Sequence, residues 1–132
     1  MNYDSFLEKK SQLGGESGFV PTFLPDYLFD FQKYMVDYSI RKGKCALFED
    51  CGLGKTIQEL VWAQNIVEKT NCNVLILTPL SVSSQTVKEA EKFGIECARS
   101  VNGKTSKKIT VTNYEKLHYF DPNDFVGVVC DE

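Results

Sequence analysis

The sequence is short of several things that would commit a chain to a narrow class of function. Its 132 residues hold one histidine, one tryptophan, two methionines and four prolines. With His118 alone and no Cys-x-x-Cys pair, Cys45, Cys51, Cys72, Cys97 and Cys130 offer no structural zinc site. Their odd number and wide spacing fit reduced thiols rather than a disulfide framework. No run approaches the roughly 20 consecutive apolar residues that cross a bilayer, and the N-terminal Met1-Asn2-Tyr3-Asp4-Ser5 lacks the basic-then-apolar form of a leader. A cytoplasmic protein with no membrane attachment is the expectation. Positive charge is not in excess either. A net charge of -3 gives no general attraction to nucleic acid, so any such binding must come from local geometry.

What is present is an ordinary core-forming composition, 42% hydrophobic with 25% charged residues, enough for one domain or part of one. Residues 1–25 read as a lead-in: a short polar helix over 2–12, a break at Gly14-Gly15-Glu16-Ser17-Gly18, then an extended stretch kept so by Pro21 and Pro25. Residues 26–132 form the body. From Tyr27, Phe31, Tyr34, Met35 and Tyr38 recur on one helical face until Gly43. Residues 44–48 predict a strand, and 56–69 a helix with Ile57, Leu60, Val61, Gln64 and Val67 in line.

Val74-Leu75-Ile76-Leu77 shows no alternation, as a parallel strand covered on both faces would. Ser81 is placed to cap a helix over 82–93, with Val87, Ala90 and Phe93 inward and Gly94 as its stop. Residues 95–100 and 109–112 predict further strands, separated by a polar, lysine-bearing turn. A short helix over 113–120 and a turn at Asp121-Pro122-Asn123-Asp124 lead to a last apolar run over 126–130. Alternating strands and helices predict an α/β fold with a mainly parallel sheet and helices on both faces. Ligands would bind at the carboxyl ends of its strands.

The chemistry gathers around Gly52-Leu53-Gly54-Lys55-Thr56-Ile57, which follows an apolar run and opens a helix. Such a turn aims successive N–H groups into one concavity above a helix N-terminus, a cradle for phosphate. Lys55 would reach the β- and γ-phosphates, and the Thr56 hydroxyl would ligate magnesium. The full P-loop pattern also asks for a glycine where this chain has Glu49, so only its second half is intact. Cys51 lies within the turn, where a small residue is tolerated. Asp131, emerging from the last apolar run, is placed to share the metal, and Glu132 to orient or deprotonate water.

In this arrangement the chain resembles the DExx-box helicases and translocases of superfamily two, Swi/Snf-type ATPases and their phage relatives nearest. Members often carry acidic residues ahead of Gly-x-Gly-Lys-Thr, so Glu49-Asp50-Cys51-Gly52-Leu53-Gly54-Lys55-Thr56 is similar to their motif I. Leu28-Phe29-Asp30-Phe31-Gln32 resembles the Q-motif, which implies that Gln32 reads the adenine edge. Leu77-Thr78-Pro79-Leu80-Ser81 resembles motif Ia and Val111-Thr112-Asn113-Tyr114-Glu115 motif Ib, which implies a track for a nucleic-acid strand along Thr78, Pro79, Leu80, Ser81, Thr112, Asn113 and Tyr114. Asp131-Glu132 resembles the first half of motif II.

The resemblance implies a RecA-like P-loop fold, ATP and Mg2+ as cofactors, double-stranded DNA as partner, and a bacterial or phage-infected cell as setting. It covers residues 27–132 and breaks off inside motif II. The family hydrolyses ATP between two RecA-like domains, so the expectation is part of a longer enzyme that turns ATP over slowly without the second domain's arginine finger. Two other readings stay open: a non-enzymatic nucleotide- or DNA-binding module, and a P-loop kinase or GTPase. No Asn-Lys-x-Asp guanine-reading string supports the latter.

Overall fold

Apolar runs become four parallel strands: β1 Asn73–Thr78, β2 Cys97–Arg99, β3 Ile109–Asn113 and β4 Phe125–Cys130, side by side in the order β2-β3-β1-β4. They belong to a computed structural model that describes residues 18–43 and 55–131. The helix expected over 2–12 and the strand expected over 44–48 lie outside the described residues. The sequence encodes the centre of the sheet most plainly. Val74, Leu75, Ile76 and Leu77 are fully buried between two faces, each side chain contributing about 1.5–3 kcal/mol.

Among the described residues three α-helices accompany the strands: α1 Asp30–Lys42, α2 Lys55–Thr70 and α3 Leu80–Lys92. Each closes on a residue in the left-handed region, Gly43 (φ 86°), Asn71 (φ 55°) and Gly94 (φ 74°). There the backbone N–H turns back on the last helical carbonyls, as Asn71 does to Val67 at 2.7 Å. All three helices contribute to the larger core, with Val36, Ile40, Leu60, Val61 and Ala90 against Val74, Ile76, Ile109 and Val111. The opposite face is covered more thinly. Short 3-10 helices Tyr114–Tyr119 and Pro122–Asp124 flank Phe120, which packs with Leu117 and Phe125 on Leu75 and Leu77. The α/β architecture with helical cover on both faces is therefore present, α-helical on one side and 3-10 on the other.

Folding adds detail to three local expectations. The aromatic stripe of α1 faces out: Phe31, Tyr34 and Tyr38 are exposed, while Gln32, Val36, Ser39 and Ile40 are buried. Compact β-branched and small side chains let α1 lie close to its neighbours, and the Ser39 hydroxyl is satisfied by donating to the Val36 carbonyl at 2.9 Å. Ser81 does not cap α3, which starts two residues earlier than expected, at Leu80 behind Pro79. Residues 114–119 wind as 3-10 rather than α-helix.

The stretch from Gly18 to Phe29 docks as a strap. Phe19, Phe23 and Leu24 pack on the larger core, and Phe19 N–H donates to the Ile40 carbonyl at 3.2 Å. Gly18 is dictated by sterics, because a Cβ there would land on the backbone oxygens of Ile40 and Arg41. Gly18→Ala should lower the melting temperature by several degrees, an overpacking cost of about 1–3 kcal/mol read by a thermal melt. Glycine serves a similar purpose within β4. A Cβ on Gly127 would stand 3.3 Å from Trp62 Cη2, so the missing side chain admits the indole of α2 against the strand.

Candidate nucleotide site at the carboxyl end of the sheet

Parallel strands end together, and here their last residues are polar. Thr78 of β1 is in register with Asn113 of β3. On the other flank Leu77 pairs with Cys130, and the Asp131 N–H donates to the Leu77 carbonyl at 2.7 Å, which brings Asp131 level with Thr78. Strand alternation turns Thr78, Asn113 and Asp131 toward the face that carries the α-helices. A row of three polar residues thus crosses the sheet end under the N-terminus of α2.

Lys55, the first residue of α2, closes the site. Its Nζ lies 2.8 Å from Asp131 Oδ1, the lysine side chain one-third exposed and the aspartate 7%. Two residues singled out far apart in the sequence are thereby joined in one ion pair. The aspartate is held by its backbone and fenced by the sheet, whereas the lysine reaches it from solvent. Thr56 follows in the same first turn, half-buried, beside backbone N–H groups that a helix start leaves without intrahelical acceptors. Ile57 buries its side chain in the core, so its own offering is backbone.

Gly52, Leu53 and Gly54, with Glu49 to Cys51 before them, and Glu132 lie outside the described residues. Gln32 sits in the first turn of α1, 4% exposed, with its Oε1 accepting the Phe29 N–H at 2.8 Å. That bond fixes the amide and satisfies one donor at the helix start. The Asp131 carboxylate and the Thr56 hydroxyl are oxygen donors of the kind that magnesium takes. Among the described residues no three His, Cys, Asp or Glu converge as a metal site. A divalent ion at Asp131 would therefore draw on Thr56 and phosphate oxygens, the mixed ligand set that magnesium favours.

The residues expected to line a nucleic-acid track divide by exposure. Leu80 and Ser81 are exposed, and Pro79 and Tyr114 are half-buried. Thr78 is buried, its Oγ1 2.7 Å from Ser83 Oγ and 3.0 Å from the Pro79 carbonyl. Thr112 is fully buried on the other face of the sheet and Asn113 is 2% exposed, so neither side chain is open to an approaching strand. Asn113 Nδ2 donates to Glu115 Oε2. This bond, with backbone and Lys116 contributions, holds the Glu115 carboxyl below its ordinary range.

Periodicity missed Asn65. It put Gln64 on the inner face of α2, but Gln64 is half-buried and pairs with Glu68 at 3.2 Å, while Asn65 is fully buried. A polar residue four positions after Val61 on an otherwise apolar face was the available signal.

The thiols also separate. Cys72 and Cys130 are exposed and in no disulfide, whereas burial pushes the Cys97 thiol up to about 12 from 9.0. At pH 8 its thiolate fraction should be about a thousandfold below that of an ordinary thiol. Peptide mapping after brief iodoacetamide treatment should find Cys72 and Cys130 alkylated and Cys97, half-buried, labelled far more slowly until the protein is denatured. The sign for stability follows: the folded state binds this proton more tightly, so its contribution is full below pH 9 and lost between about pH 9 and 12.

No protein-family model matches the chain, and no curated protein matches it in sequence.

Proposed function

We propose that the chain is the ATP-binding, N-terminal RecA-like lobe of a superfamily-two helicase or DNA translocase, working in the cytoplasm on double-stranded DNA. The observation that carries this reading is the Lys55–Asp131 ion pair at the carboxyl end of an all-parallel sheet. It joins a lysine from a Gly-x-Gly-Lys-Thr turn to an acid emerging from a buried strand, the pairing that P-loop nucleotide hydrolysis needs.

On nucleotide binding the Lys55 ammonium exchanges its carboxylate partner for the β- and γ-phosphates. Asp131 and the Thr56 hydroxyl would hold magnesium, and Gln32 would recognise adenine. The metal's contribution when bound is to neutralise charge that develops on the phosphates. Glu132 orients the attacking water and accepts its proton. Exposed Leu80 and Ser81, with backbone groups at the ends of β1 and β3, face the nucleic-acid strand and contact it without reading sequence. A second RecA-like domain supplies the arginine that makes turnover fast, worth about 10³-fold or more.

Equilibrium binding of a fluorescent ATP analogue to the 132-residue chain, with and without Mg2+, tests the reading. The expected result is magnesium-dependent binding that ATP displaces better than GTP and that Lys55→Ala weakens by about tenfold or more. Unchanged binding in Lys55→Ala would sink the proposal, and displacement favouring GTP would replace it with a GTPase-like function.

A further inference from the structure

Asn65 lies buried in the middle of α2, and every hydrogen-bonding position of its amide is used. Oδ1 accepts from the Thr22 and Phe23 N–H groups, both at 2.9 Å, and Nδ2 donates to the Phe23 and Val61 carbonyls, both at 2.8 Å. One side chain thus pairs both polar backbone groups of Phe23, as a neighbouring strand would. An amide saturated in this way fixes the strap along α2 in a single register, which apolar packing of Phe19, Phe23 and Leu24 alone would not do.

The strap leads straight to the start of α1. Leu28 N–H closes a turn on the Pro25 carbonyl at 3.1 Å, Leu28 is buried in the larger core, and the Tyr27 ring lies 4.6 Å from that of Phe93. Phe29 N–H then bonds Gln32 Oε1. Between the Asn65 clamp and the Gln32 amide the chain has no unanchored stretch. The helix that carries Asn65 begins at Lys55, about 15 Å away along its axis at 1.5 Å per residue. One rigid helix therefore holds the phosphate-binding lysine directly and the base-reading glutamine through the strap.

We propose that Asn65 is a positioning residue for the base end of the nucleotide site, setting the selectivity for adenine by locking the strap that leads into Gln32 onto the helix that carries Lys55. This rests on the reading of Lys55 and Gln32 as nucleotide-binding residues. Asn65 touches no nucleotide itself. Its loss leaves the phosphate end in place and frees the base end.

The test compares dissociation constants for ATP, GTP and inorganic tripolyphosphate, each with Mg2+, in the unaltered chain, Asn65→Asp and Asn65→Leu. Asn65→Asp is isosteric but turns two donors into acceptors facing the Phe23 and Val61 carbonyls. The expected result is a tripolyphosphate affinity within about twofold of the unaltered chain, while the preference for ATP over GTP falls about tenfold or more, toward unity. A folded Asn65 variant that keeps its ATP preference overturns the proposal while Lys55-dependent binding stands. Binding that ignores Lys55→Ala overturns the parent reading, and this proposal with it.

Hydrogen exchange on the unaltered chain gives an independent measure should the variants not fold. ATP should slow exchange of the Thr22 and Phe23 amides and tripolyphosphate should not. Equal effects of the two ligands, or no effect of either, would overturn the proposal.

Discussion

Replacing Lys55 with methionine should weaken ATP binding by about ten- to a hundredfold, the 1.5–3 kcal/mol of a hydrogen bond between charged groups, and should also destabilise the protein without ligand. The second effect comes from the ion pair. Asp131 is buried and Lys55 is one-third exposed, so removing the lysine strands a carboxylate while removing the carboxylate only returns an ammonium to water. Breaking a fully buried pair costs about 3–5 kcal/mol; with one partner partly solvated we expect about 1–3 kcal/mol for Lys55→Met. Asp131→Asn should cost less than about 1 kcal/mol. Urea titrations of both variants measure the difference, and equal losses would contradict it. In Asp131→Asn the magnesium dependence of ATP binding should shrink, because the carboxylate proposed to hold the ion is gone.

The larger loss of stability should come from a residue outside the ion pair. Asn65→Ala leaves the Thr22 and Phe23 N–H groups and the Phe23 carbonyl without their partner, at about 1–3 kcal/mol for a buried group left unpaired. The strap can limit the penalty by lifting off, which exposes Phe19, Phe23 and Leu24 instead. We expect a net loss of about 2–4 kcal/mol, read as a lower urea midpoint. A reduced m-value would identify the detached form, since less surface is then left to expose on unfolding. Thr22 also hydrogen-bonds Glu68 at 3.1 Å, but through an exposed hydroxyl. Thr22→Ala should therefore change the midpoint little.

Much of the framework could be read from residue types, and the failures have physical causes. β1 was legible because a central parallel strand buried on both faces appears as an unbroken apolar run, and β4 because its run Phe125–Cys130 is apolar apart from Gly127. The stops at Gly43 and Gly94 were legible because left-handed backbone favours glycine. Periodicity found the stripe of Phe31, Tyr34, Met35 and Tyr38 on α1 but not which face is buried, and close helix packing selected Val36, Ser39 and Ile40. Asn65 and the Thr78–Ser83 hydroxyl pair were invisible for another reason. Their partners are set by three-dimensional packing, in the case of Asn65 by a strap far away in sequence. Lys55 and Asp131 were each legible as candidates, and what folding adds is their 2.8 Å approach.

The strand order has a consequence for how the site comes into being. In the sequence β2-β3-β1-β4 neither neighbour of β1 is joined to it by a hairpin, and β4 is the last of the four strands to be synthesised. Such non-local pairing makes folding slow, because loop-closure entropy is spent before the contacts that repay it can form. Asp131 reaches Lys55 only when β4 has docked on β1. Before then Leu75 and Leu77 lack part of their cover, and the nascent domain presents both a sticky sheet edge and a lysine without its carboxylate. The ion pair therefore doubles as a marker of completed folding: refolding followed at the site should report the slowest phase, whereas a probe in α2 should report an earlier one.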